Sequence, residues 1–205
     1  MVYYFRQRLP ILLTVAFLFL LGVAFGSIAV RTLSQTQASD LRAYLDQFFA
    51  SFPQELATTN RQAVAWRGVV DNIIKISGLV WVLGMTIIGV PLIFGIVFVR
   101  GFVLGFTVGF IISEMKLDGI VVATASLLPH NILLVPALIL ASTTAISFAV
   151  AAVQTLMGTA KNNIINQFMA TTIIIAAASG LLALASLVEM YITPVLMQLS
   201  RKLIL

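Results

Sequence analysis

His130 is the one histidine in 205 residues, and cysteine is absent. Thiol catalysis, disulfides and thiolate metal sites are excluded at once. A zinc site wants about three or four N, S or O ligands, which a lone histidine cannot supply. The acids are few, and Glu114, Asp118 and Glu189 fall at the ends of apolar runs. The chain has no Gly-x-Ser-x-Gly elbow, no His-Glu-x-x-His pair and no phosphate-binding loop. These residue types lead to the expectation of a protein that is not an enzyme and takes no metal and no cofactor.

Two features remain that could do something physical. The first is "RGFVLGFTVGF", Arg100 to Phe110. Arg100 is the one charge in the 37 residues from Ile76 to Ile112. A charge at the bilayer centre costs at least about 2.5–3.5 kcal/mol. At a helix end it can reach the headgroups at little cost. Arg100 is therefore expected near the cytoplasmic edge. Gly101, Gly105 and Gly109 follow at a spacing of four, which puts them along one helix face. Gly22 and Gly26 repeat that spacing in the first apolar run. Bare backbone lets another helix approach closely. The stripe can serve packing inside a bundle, a subunit interface or a substrate path, and a homodimer is expected.

The second feature is Pro129-His130-Asn131, a polar interruption of an apolar run. Irregular backbone at membrane depth survives only when buried in protein or lining a wet cavity. The tripeptide is either a capped kink or part of a pathway or contact site.

The elements that must position these residues follow from composition. The chain is 60% hydrophobic and 9% charged, with a mean hydropathy of +1.09. Soluble domains carry about 25% charged residues. This is the composition of an all-α, polytopic transmembrane bundle of five or six membrane segments of about 20 residues each. Short or broken helices, re-entrant in character, are expected around 101–131. One integral membrane domain covers 1–205: a first transmembrane helix at 9–30, an extracytoplasmic amphipathic segment at 31–72, and a bundle with short loops and a tail at 73–205. The first run is too long for a cleaved signal core, so it is expected to remain with its N-terminus in the cytoplasm. The net charge of +5 is scattered beside apolar runs, which suits lipid anchoring and not nucleic acid.

Within 31–72 the charges balance, and Leu41, Tyr44, Leu45, Phe48, Phe49 and Phe52 recur at helical spacing. Ser39 or Asp40 can start that helix and Pro53 can stop it. Its aromatic face either lies on the membrane or the bundle, or docks a partner through Tyr44, Phe48, Phe49 and Phe52. Further crossings are expected at 73–99 with Pro91 as a kink, at 132–153 and at 169–188. Residues 101–113 read as a half-helix. An alternative cut near Pro91 would put Arg100 inside the bilayer. Glu189 to Leu205 reads as a tail.

Three stretches in order, "GLVWVLGMTIIGVPLIFGIVFVRGFVLGFTVGF" (Gly78–Phe110), "LLPHNILLVPALI" (Leu127–Ile139) and "EMYITP" (Glu189–Pro194), resemble the stage II sporulation protein M family. Related membrane proteins tend to show Pro-His-Gly-x-x-Glu, where this chain has Asn131 and Leu134 in place of the glycine and the glutamate. The resemblance implies a multi-pass protein of the mother-cell or septal membrane in an endospore-forming bacterium. It implies a role in engulfment as a scaffold for two membrane-anchored peptidoglycan hydrolases, a lytic transglycosylase and an amidase. The alternative is a transporter-like permease module that dimerises around broken helices.

Overall fold

Three stretches are apolar at most positions and long enough to cross a membrane: Arg8–Thr32, Gly89–Leu156 and Ile164–Met197. A computed structural model of the chain describes residues 2–58, 66, 68–71, 73–158 and 163–204. Every described element is helical. In chain order they are α1 (Val2–Ala29), α2 (Gln35–Thr58), a π-helical turn (Ile73–Gly78) leading into α3 (Leu79–Gly84), α4 (Gly89–Leu156), α5 (Ile164–Tyr191) and α6 (Thr193–Ile204).

α4 is two arms. Lys116, at φ 52° and ψ −123°, leaves the helical region and folds the chain back. A non-glycine residue there costs about 1–3 kcal/mol. Packing between the arms offsets that cost. Ile111 is buried against Val122 and Ala123 across the hairpin. Gly119 lies so close that an added methyl would come 2.9 Å from Ile112 Cα. The first arm is 89–115 and the second 117–156.

The second arm is the centre of the protein. Residues 141–149 are buried at every position. Ile93 and Val97 of the first arm, Val80 of α3, and Ile175, Ala178 and Leu182 of α5 share one buried cluster with Ala137, Leu138, Ala141 and Ala145. Small residues on the second arm let these helices approach, and dispersion at short range holds helices together in lipid. The alanine Cβ of residue 145 would stand 2.7 Å from a methyl on Gly84, so α3 meets the second arm backbone to side chain. Trp81 Nε1 donates to Thr172 Oγ1 at 3.2 Å, and its ring lies 6.1 Å from Phe168. Farther along, Ser186 Oγ donates to the Gly68 carbonyl at 3.3 Å. As residue numbers climb from Gly68 to Trp81 their partners fall from Ser186 to Thr172, so this segment and α5 run antiparallel.

α1 packs on the first arm through both glycine series. A methyl on Gly22 would strike the carbonyl of Phe98, and one on Gly26 the carbonyl of Phe102. In return, Gly101 faces the carbonyl of Phe19 and Gly105 that of Val23. Both sets of numbers climb together, so the helices run parallel. Each stripe is filled by the other helix's backbone within one chain. Neither is open to a second copy or a substrate path.

Several boundaries differ from those expected. The 73–99 crossing is divided: α3 ends at Gly84, Met85–Ile88 turn, and α4 begins at Gly89. Pro91 sits in the first turn of α4, where its missing N–H would have had no helical partner. That corrects the place of Arg100, which is the twelfth residue of the first arm and not at a helix end. It also corrects the half-helix at 101–113, which continues 89–100 without interruption. The helix runs through Pro129-His130-Asn131 as well, so the one break between 101 and 131 is Lys116. The half-helices that suggested a transporter are regular helix. α2 starts earlier, at Gln35, because Ser34 and Gln37 form a capping box: Ser34 N donates to Gln37 Oε1 at 3.0 Å and Gln37 N to Ser34 Oγ at 3.3 Å. It passes Pro53 and ends at Thr58. The tail is helical: α5 runs to Tyr191 and α6 follows.

Candidate functional site

Three residues from distant parts of the sequence lie near enough to act on one another by charge, without touching. Arg100 comes from the first arm, His130 from the second, and Glu189 from the last turn of α5. Each lies within reach of the others' charge. Arg100 and His130 are half-buried on α4, where solvent screens charge less than in bulk water.

Asn131 orders the imidazole. Its Nδ2 donates to the Leu127 carbonyl at 2.8 Å and lies 3.2 Å from His130 Nε2. An amide nitrogen only donates, so Nε2 accepts and the ring is neutral with its proton on Nδ1. Nδ1 is buried and points toward the Ser126 carbonyl without reaching hydrogen-bond geometry. Pro129 contributes no N–H, which removes the usual donor to the carbonyl four residues back. Ser126 Oγ donates to Val122 at 2.7 Å, and with Asn131 it supplies side-chain bonds on either side of the proline. These bonds hold the helix through a tripeptide that reads as a break.

Arg100 and the Asn131–His130 pair line a partly open cavity of about 120 Å³, together with Phe19, Leu104 and Leu134. Arg100 makes no hydrogen bond and no ion pair within 4 Å among the described residues. Glu189 itself is exposed.

A second feature lies at the far end of the first arm. α2 reaches the bundle through an ion pair between Arg42 and Glu114, with the Glu114 side chain 16% exposed and Arg42 61%. Between the two helices runs an open apolar groove of about 530 Å³, lined by Leu41, Tyr44 and Leu45 of α2 and Phe106, Phe110 and Ile111 of the first arm. Phe102, Phe106 and Phe110 stack along that arm with ring centroids 6.3 Å apart at each step. Tyr44 is 74% exposed. The side chains of Phe48, Phe49 and Phe52, also expected to dock a partner, lie outside the described residues.

The sequence matches the stage II sporulation protein M family over residues 15–194, from the middle of α1 to the start of α6. The chain belongs to that family. No curated protein matches the chain, and no solved structure does. Within this sporulation family member, Gly78–Phe110 carries Arg100, Leu127–Ile139 carries His130 and Glu189–Pro194 carries Glu189. The fold brings Arg100 and His130 to one cavity, and Glu189 acts on both by charge from outside it. Gly22, Gly26, Gly101, Gly105 and Gly109 form the packing seam beside it.

Glu189 is the member that sequence reasoning left out of the site. It stands at the end of an apolar run, where an acid reads as an interface marker. The signal that could have found it is the lone positive charge of Arg100, which calls for a counter-charge somewhere in the bundle.

Proposed function

We propose that the chain is a non-catalytic membrane scaffold of the engulfment machinery, which recruits and assembles septal peptidoglycan hydrolases. The observation that carries the reading is membership of the sporulation family over residues 15–194. α2 adds to it: tethered to the bundle by the Arg42–Glu114 pair, it leaves an open apolar groove with Tyr44 at its edge. A groove between helices can take an amphipathic or membrane-anchoring helix. The partners in this reading are a lytic transglycosylase and an amidase, both membrane-anchored. In sporulating cells that lack the chain, both hydrolases are expected to lose their septal focus and to regain it when the chain is restored. Septal foci that persist without the chain would contradict the scaffold.

The same reading has five crossings of the cell membrane. α1 runs outward from a cytoplasmic N-terminus, 68–84 inward, the first arm of α4 outward, the second inward and α5 outward. α2 and α6 then share the outer side, where peptidoglycan lies. The absence of cysteine makes this easy to check. Gln37→Cys, on α2, is expected to react with a membrane-impermeant maleimide on intact cells. Met157→Cys, between α4 and α5, is expected to react only after permeabilisation. Equal labelling of both, or the reverse order, would rule this topology out.

A further inference from the structure

Among the described residues no carboxylate pairs with the guanidinium of Arg100. It sits inside an apolar arm, and charges in such places pair or face a wet cavity. Glu189 reaches it by field alone, with no ion pair between them. The imidazole beside it is neutral and held by Asn131. Among the described residues no carboxylate lines the cavity. The cavity's lining therefore has a cation, an amide, an imidazole and the Thr107 hydroxyl, which is spent on the Val103 carbonyl, among apolar side chains.

We infer that this cavity, bounded by Arg100, His130 and Asn131, is a binding site for one small monovalent anion, a carboxylate or a halide. Size sets the limit. The space of about 120 Å³ holds on the order of four waters at about 30 Å³ each. A formate or chloride ion with a water or two fits, and a sugar acid does not. Arginine favours a carboxylate, which it can grip with two parallel N–H bonds, over a spherical ion. Most of the wall is apolar, Phe19 and Leu134 included, so the attraction is less screened than in bulk water. Glu189 opposes the anion, and removing its charge is expected to tighten binding. Because Phe19 of α1 and residues of both arms of α4 line the cavity, an anion there would tie the α1 seam to the central arm.

The test is thermal unfolding of the purified full chain in detergent, in sodium formate, chloride or gluconate at equal ionic strength. An anion bound to the folded state raises the midpoint in a saturable way. Formate is expected to raise it over gluconate by about 2–4 °C, with chloride between them. Glu189→Gln is expected to shift the formate midpoint concentration several-fold lower. Arg100→Lys keeps the charge and is expected to retain the chloride response while losing the preference for formate. Arg100→Gln is expected to lose both. Should that variant fail to fold, Leu127→Phe, which fills the cavity and keeps the arginine, is expected to lose both too. Equal midpoints in the three salts would overturn the proposal. So would a salt effect of the same size in the wild type, Arg100→Gln and Leu127→Phe, since that is a bulk effect of the salts.

Discussion

Gly105→Leu is expected to remove the folded protein from the membrane. A single methyl at Gly105 already runs into the Val23 carbonyl, and α1 cannot retreat without lifting Gly101 off Phe19 and Gly22 and Gly26 off Phe98 and Phe102. Four reciprocal backbone contacts share the seam, so one wedge opens all of them. Overpacking a tight core typically costs about 1–3 kcal/mol. A leucine against rigid backbone belongs above that range, and marginal stability leaves little room to absorb it. The effect should be graded by space. Gly109→Ala meets Ser27 Cα at 3.2 Å and is expected to cost little. Gly95→Ala meets nothing within 4 Å and is expected to stabilise by about 0.5–1 kcal/mol, the helical preference of alanine over glycine. Membrane abundance and thermal midpoint of the three variants check the order. Equal behaviour of Gly105→Leu and Gly95→Ala would show that the two stripes do not meet.

Arg42→Glu is expected to detach α2. It replaces an ion pair by two carboxylates, one of them, Glu114, largely shielded on the first arm. Losing an exposed pair alone costs up to about 1 kcal/mol, and like charges held together add to that. On this account the groove exists only while α2 stands beside Phe106 and Phe110, so hydrolase capture is expected to fall by roughly tenfold or more, about 1.4 kcal/mol. The exchanged pair, Arg42→Glu with Glu114→Arg, is expected to recover most of it. Recovery in the exchange separates a lost ion pair from a damaged helix.

Much of this was legible from residue spacing. The apolar runs gave helices, and the four-residue glycine period gave two packing faces. Periodicity shows that a face exists and does not show what covers it. That Gly22 and Gly26 face the Phe98–Phe106 stretch is a fact about which helices become neighbours. Proline misled in both directions. Pro53 and Pro129 sit within helices, the latter between the side-chain bonds of Ser126 and Asn131. Pro91 marks a start and not a kink. The sharpest turn falls on Lys116, which is neither glycine nor proline. A lysine carries no local sign of positive φ, and the hairpin is imposed by Ile111 packing on Val122 and Ala123. Arg100 was expected at a helix edge because an isolated charge is costly in lipid. Its cavity, and Glu189 beyond it, come from helices 30 and 89 residues away in sequence.

Capture of partners in mild detergent reaches the central claim most directly. The tagged chain is purified from sporulating cells as wild type, as Arg42→Glu and as the exchanged pair, and co-purifying proteins are identified by mass spectrometry. The scaffold account predicts both wall hydrolases with the wild type, a sharp loss with Arg42→Glu and their return with the exchange. A wild-type chain that brings down no hydrolase would contradict it.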